Sequence, residues 1–182
     1  MFRTELKPPA LPLFDLTHQT PVLTLGSCFA ENMAARLQSL QFPILSNPFG
    51  IIYNPISIAD CLNYLMINDS FSEENLFFHN HLWHSWRHHG RFSHSDKNIL
   101  LNNVNQTLEA AGLFLKQTKW LVLTLGTAHV YVEKTSNRVV ANCHKAPPQY
   151  FEKKRLETRG YFLKNFEKNF LKKFLYKILT VK

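Results

Sequence analysis

The residues Val22-Leu23-Thr24-Leu25-Gly26-Ser27-Cys28-Phe29-Ala30-Glu31-Asn32 read as a strand, a tight turn and a helix in succession. Residues 22–25 are a short apolar run, and Gly26 permits the sharp bend that ends it. From Glu31 to Gln41 the apolar positions Met33, Leu37 and Leu40 fall on one helical stripe. Far along the chain, residues 120–125 form an uninterrupted apolar run ending at Gly126. A strand without alternation suits a position covered on both faces, as in a parallel sheet. Two such strands, with helical patterns between them, argue for an α/β domain.

The intervening chain fills in the pattern. Residues 42–45 read as a second strand, followed by the loop Ser46-Asn47-Pro48-Phe49-Gly50. Asn54-Pro55 starts a helix, with Asn54 as N-cap and Pro55 at the first helical position. Its core face is Ile58, Cys61, Leu62 and Leu65. Residues 70–96 are irregular and aromatic, with a strand near 82–86. A long helix is predicted over 97–116, buried through Leu101, Val104, Leu108, Ala111 and Leu115. Residues 130–133 and 138–141 read as a hairpin. Ala146-Pro147-Pro148 breaks the chain, a basic helix follows to about Leu175, and residues 176–181 are strand-like.

Size and charge set the bounds. At 182 residues and 45% hydrophobic, the chain is expected to form a single domain, spanning 1–182. No apolar run of about 18 residues occurs, so no membrane span is expected. The stretch 1–15 holds Pro8, Pro9 and Pro12 and no apolar core, which is unlike a secretory signal. Cys28, Cys61 and Cys143 lack CxxC spacing and read as thiols of a reducing cytoplasm. The net charge of +8 lies wholly in residues 153–182, with ten Lys/Arg against Glu157 and Glu167. No recognition motif accompanies it. A solvated helix face is the expectation, and nucleic acid is not an expected partner.

The chemistry points to the first turn. Ser27 and Cys28 would sit where free backbone N–H groups and the positive end of the helix dipole stabilise a thiolate or an oxyanion. A nucleophile needs such placement, because it is weak on its own. The plain alternative is a Ser cap beside a buried Cys.

The chain resembles the bacterial family named after its GSCFA motif. The matching pieces are Gly26-Ser27-Cys28-Phe29-Ala30-Glu31-Asn32, Asn47-Pro48-Phe49-Gly50-Ile51-Ile52-Tyr53-Asn54-Pro55, Trp83-His84-Ser85-Trp86 with His88-His89-Gly90, Thr124-Leu125-Gly126-Thr127-Ala128, and Asn142-Cys143-His144-Lys145. That family looks like a branch of the SGNH/GDSL hydrolases, which implies a three-layer α/β/α sandwich with a mostly parallel sheet. The resemblance implies a nucleophile two residues after Gly26, namely Cys28, with Ser27 as second choice. It implies an oxyanion-hole Gly at Gly50. Gly126-Thr127-Ala128 stands where the superfamily has Gly-x-Asn-Asp, so the usual oxyanion Asn is absent and Asn142 is the stand-in. Longer relatives continue past the position of Lys182 into His-bearing segments. The resemblance therefore implies a C-terminally incomplete domain lacking its base, with little hydrolase activity alone. The implied activity is hydrolysis or transfer of an acyl ester, on a small ester or an acylated saccharide, without metal or cofactor. The alternative is a non-enzymatic binding module using the same crevice and the His/Trp segment.

Six of the nine histidines fall between His79 and His94. If the segment is extended, His79 and His81 share one strand face. Imidazoles suit transition metals, but no Cys pair or His-Glu-x-x-His helix accompanies them. They read as structural or as the rim of the site, with His84 and His88 as substrate-contact candidates. His129 and His144 follow strand ends, and either could replace the base. Lys145 could hold an anionic group. The stripe Phe162, Phe166, Phe170 and Phe174 is core, or a self-association face if its partner layer is missing.

Overall fold

A computed structural model describes residues 16–67, 69–155 and 177–181. The chain is an α/β protein built on a four-stranded parallel sheet. Its strands are β1 (Val22–Gly26), β2 (Ile44–Ser46), β5 (Trp120–Thr124) and β9 (Lys177–Val181), in the order β2-β1-β5-β9. The helices are α1 (Cys28–Ser39), α2 (Pro55–Ile67) and α3 (Lys97–Gln117). Two hairpin-like units complete the described fold. One pairs β3 (Leu76–His79) with β4 (Leu82–Ser85). The other orders β6 (His129–Glu133), β7 (Val139–Val140) and β8 (Phe151–Arg155) as β7-β6-β8.

Strand pleating divides the core. Leu23 and Leu25 of β1, with Leu121 and Leu123 of β5, join Ile58, Cys61, Leu62 and Leu65 of α2 and Leu100, Val104, Leu108 and Leu115 of α3. Val22 and Ile44 turn the other way and meet Ala34 of α1. Both long helices are capped as their sequences require. The Asn54 carboxamide oxygen accepts from the Ser57 N–H at 2.8 Å, and the Asp96 carboxylate accepts from Asn98 N–H at 2.7 Å.

The structure moves several expected boundaries. Helix α1 begins at Cys28, and it buries Ala30 and Ala34, leaving Met33 at 46% and Leu40 at 56% exposure. Small residues let the helix approach the sheet closely, which the apolar count alone does not register. Strand β2 begins two residues later than expected and ends one residue later. In α3, Leu100 rather than Leu101 is fully buried. Strand β3 was not expected. Its turn to β4 places Asn80 and His81 at φ 47° and 62°, the two left-handed positions of a two-residue hairpin, so His79 and His81 do not share a strand face. Residues 151–155 are strand β8, not part of a helix, because the stretch after Pro147 and Pro148 pairs antiparallel with β6. The phenylalanine stripe lies outside the described residues.

Candidate functional site

Parallel sheets place crevices at the carboxyl ends of strands where the chain order reverses. Here β1 is followed on one side by β2 and on the other by β5, so the reversal falls between β1 and β5, where Gly26 pairs with Thr124. Residues 47–53 cross this edge. The Asn47 side chain accepts from Gly26 N–H at 2.8 Å, Ile52 N–H donates to Gly26 O at 2.8 Å, and Tyr53 O accepts from Gly126 N–H at 2.9 Å. Gly26 is held at φ 143°, and a Cβ there would lie 2.2 Å from the Thr124 carbonyl oxygen. Only glycine fits this junction.

The turn separates its two nucleophile candidates. Ser27 points toward β5: its N–H donates to Thr124 Oγ1 at 2.8 Å and its hydroxyl lies 3.0 Å from the same oxygen. Cys28 is exposed as the first residue of α1. The Ser27 hydroxyl makes no cap bond to the helix, so it does not occupy the first-turn amides. Beside Cys28 stands Tyr53, whose phenol is held above its usual range by partial burial and by the neighbouring Cys28 thiol. Glu31 in the same first turn is engaged by Arg91 at 2.8 Å, and Arg91 also donates to Asn47 O at 2.7 Å.

Tyr53 forms one wall of a cleft of about 540 Å³. His89, Asn142 and His144 line it too, with Tyr131, Phe151 and Lys153 contributed by the antiparallel sheet. The histidine wall is stapled together. Ala141 and Asn142 N–H both donate to Trp86 O, and Lys145 Nζ donates to His88 O at 2.7 Å and Ser85 O at 3.3 Å. These bonds hold the His89 and His144 rings 6.5 Å apart. Burial lowers both rings below the usual histidine range, and the Lys145 ammonium adds to it. Lys145 itself is lowered by burial to about 8. Asn142 is 2% exposed, and its Nδ2 has no hydrogen-bond partner among the described residues.

The expected site residues divide into two groups. Ser27, Cys28, Gly50, Gly126, Thr127, Asn142 and His144 gather around the sheet edge and the cleft. His84 and His88 do not. His88 is 1% exposed, sits between Phe49 and Phe71, and holds Ser85 Oγ at 2.9 Å. Burial drives it down to about 3, so it is a neutral core residue. His84 is 6% exposed and bonded to Ser93 Oγ and His79 O. The backbone amides of the glycines are also spoken for. Gly50 N–H donates to Asn47 O at 2.7 Å, and Gly126 and Thr127 N–H both donate to Tyr53 O. Gly50 instead admits His89, whose Cβ would lie 2.1 Å from an added Cβ. His129 lies on β6, where its N–H donates to Thr127 Oγ1 at 3.0 Å. No group of three or more metal-ligating side chains occurs among the described residues. No described helix is long and apolar enough to cross a membrane.

Sequence reading did not single out Tyr53, His89 or Lys153 as lining the site. Tyr53 and His89 lie inside the quoted motifs, where their residue types were the available signal. Lys153 had none, since its stretch read as a basic helix.

Fold and cleft together define an α/β protein with a crevice at the carboxyl ends of two adjacent parallel strands. The chain matches the GSCFA family over residues 21–174 and belongs to that family. Comparison with curated proteins and with solved structures gives no match.

Proposed function

We propose that the Gly26–Cys28 turn is an acyl-transfer centre acting on esters, in a domain of the SGNH-like three-layer type. The observation that carries this reading is the exposed Cys28 at the start of α1, beside Tyr53, which in turn lines the cleft. Helices on opposite sides of the sheet, α1 on one and α2 with α3 on the other, support the layered arrangement. Cys28 is favoured over Ser27 because the serine hydroxyl is tied to Thr124.

In this reading Cys28 Sγ attacks the ester carbonyl carbon and its proton passes to His144. The ring nitrogens of His144 make no hydrogen bond among the described residues. The carbonyl oxygen becomes an oxyanion held by the first-turn amides of α1 and by Asn142 Nδ2. Collapse breaks the C–O bond, the alcohol leaves with the proton, and an S-acyl group remains for water or a second alcohol. A small ester or an acylated saccharide fits the class. The rival reading, a binding module walled by the His/Trp segment, is less favoured: His84 and His88 are buried in the body, and from that segment only His89 lines the cleft.

The test is incubation with 4-nitrophenyl acetate followed by peptide mass spectrometry. We expect one acetyl group on the peptide carrying Cys28, absent in Cys28→Ala. Acetylation that persists in Cys28→Ala, or none in the native chain, rejects the proposal.

A further inference from the structure

The cleft is rich in donors and poor in acceptors. Among the described residues no Asp or Glu lines it. The closest carboxylate on α1, Glu31, is engaged by Arg91. The His89 Nδ1 accepts from Arg91 N–H at 3.3 Å, so the proton of the neutral ring sits on Nε2 and that nitrogen is a donor. Asn142 adds a buried N–H₂ without a partner. An orphaned buried donor is costly, and a ligand oxygen that meets it removes that cost.

The other wall is cationic over an aromatic floor. On β8, Lys153 stands directly across from Tyr131, Arg155 across from His129 and Phe151 across from Glu133, so these six residues share one face; Glu133 lies outside the cleft lining and its carboxylate accepts from the Ser136 hydroxyl. Lys153 makes no ion pair among the described residues, whereas Lys154, on the opposite face, is paired with Glu152. Tyr131 and Phe151 pack edge to face at 5.6 Å beside Lys153. Beneath the histidine wall, Lys145 adds a second positive charge, held among the described residues only by backbone carbonyls.

Resting on the acyl-transfer reading, we propose that the cleft selects an ester carrying an oxyanion, carboxylate or phosphate, which Lys153 and the His89 N–H bind over the Tyr131–Phe151 floor. Asn142 remains with the reacting carbonyl oxygen. A charged contact of this kind in a donor-lined cleft discriminates against an uncharged analogue by about tenfold.

The test titrates the full chain at low salt, by isothermal calorimetry, with succinate, inorganic phosphate and uncharged dimethyl succinate. We expect at least one anion to bind about tenfold more tightly than the diester. Lys153→Gln removes that margin and Lys153→Arg retains it. The tighter anion tells carboxylate from phosphate recognition. Lys153 is an exposed strand residue, and circular dichroism verifies that its variants fold. Equal binding of all three ligands, or a margin that survives Lys153→Gln, overturns the proposal. Acylation of Cys28 is read separately. An anion margin without acylation rejects the acyl-transfer reading and leaves an anion-binding cleft, while acylation without a margin does the reverse.

Discussion

Three histidines within six residues meet three different fates. His84 is buried and bonded through both ring nitrogens, His88 is sealed among phenylalanines, and His89 looks into the cleft. The type of residue was legible from the sequence, but the direction of each ring was not. The segment follows no single period, and a hairpin plus a 3₁₀ turn re-aims each side chain. His88 yields a stability prediction. Its folded value of about 3 lies below the ordinary 6.5, so the unfolded chain binds the extra proton between those pH values. Its contribution to stability is complete above pH 6.5 and is lost as pH falls toward 3. At pH 5 the loss is roughly 2 kcal/mol relative to neutral pH. Urea denaturation at pH 7 and pH 5 should show His88→Gln losing less than the native chain by about that amount.

At the scale of elements, the loop at 47–53 does more than connect. It binds both the N–H and the carbonyl of Gly26 and links β1 to the residues after β5. Two glycines make this closeness feasible, Gly26 at φ 143° against Thr124 and Gly50 at φ 83° against His89. Replacing Gly26 adds a Cβ at 2.2 Å from a backbone oxygen, in a conformation that L residues rarely adopt. Gly26→Ala is expected to destabilise the protein by at least about 3 kcal/mol, read as a lower urea midpoint with an unchanged slope. Unchanged stability would mean that the strand end is free to relax. The strand–turn–helix order was readable because Gly26 sits between an apolar run and a helical pattern. The buried face of α1 was misread in part: Ala30 and Ala34 are its buried residues, with Ala34 packed on β1 and β2, Leu37 is only partly buried against that cluster, and Met33 and Leu40 stay exposed.

Across the whole molecule, stability is unevenly spread. The main core joins β1 and β5 to α2 and α3, with most members at 0–2% exposure. The antiparallel β7-β6-β8 sheet, which carries Lys153, buries Val130, Val132 and Val140. Less apolar area removed from water means a smaller opening free energy. Hydrogen exchange should therefore find the amides of Leu23, Leu25, Leu121 and Leu123 the slowest and those of β6 at least tenfold faster. Equal protection in the two sheets would contradict this division. It also bears on the cleft, because one wall belongs to the rigid sheet edge and the other to the more easily opened sheet.

Local chemistry was enough to establish the α/β alternation, the cap at Asn54, the parallel character of β5, and the family. Each depends on neighbours within a few residues. Assembly of the cleft was out of reach of such reasoning. Tyr53, His89, Asn142 and Lys153 come from distant parts of the chain. Their meeting depends on long-range bonds, from Trp86 to residues 141 and 142 and from Tyr53 to residues 126 and 127, which no local period encodes.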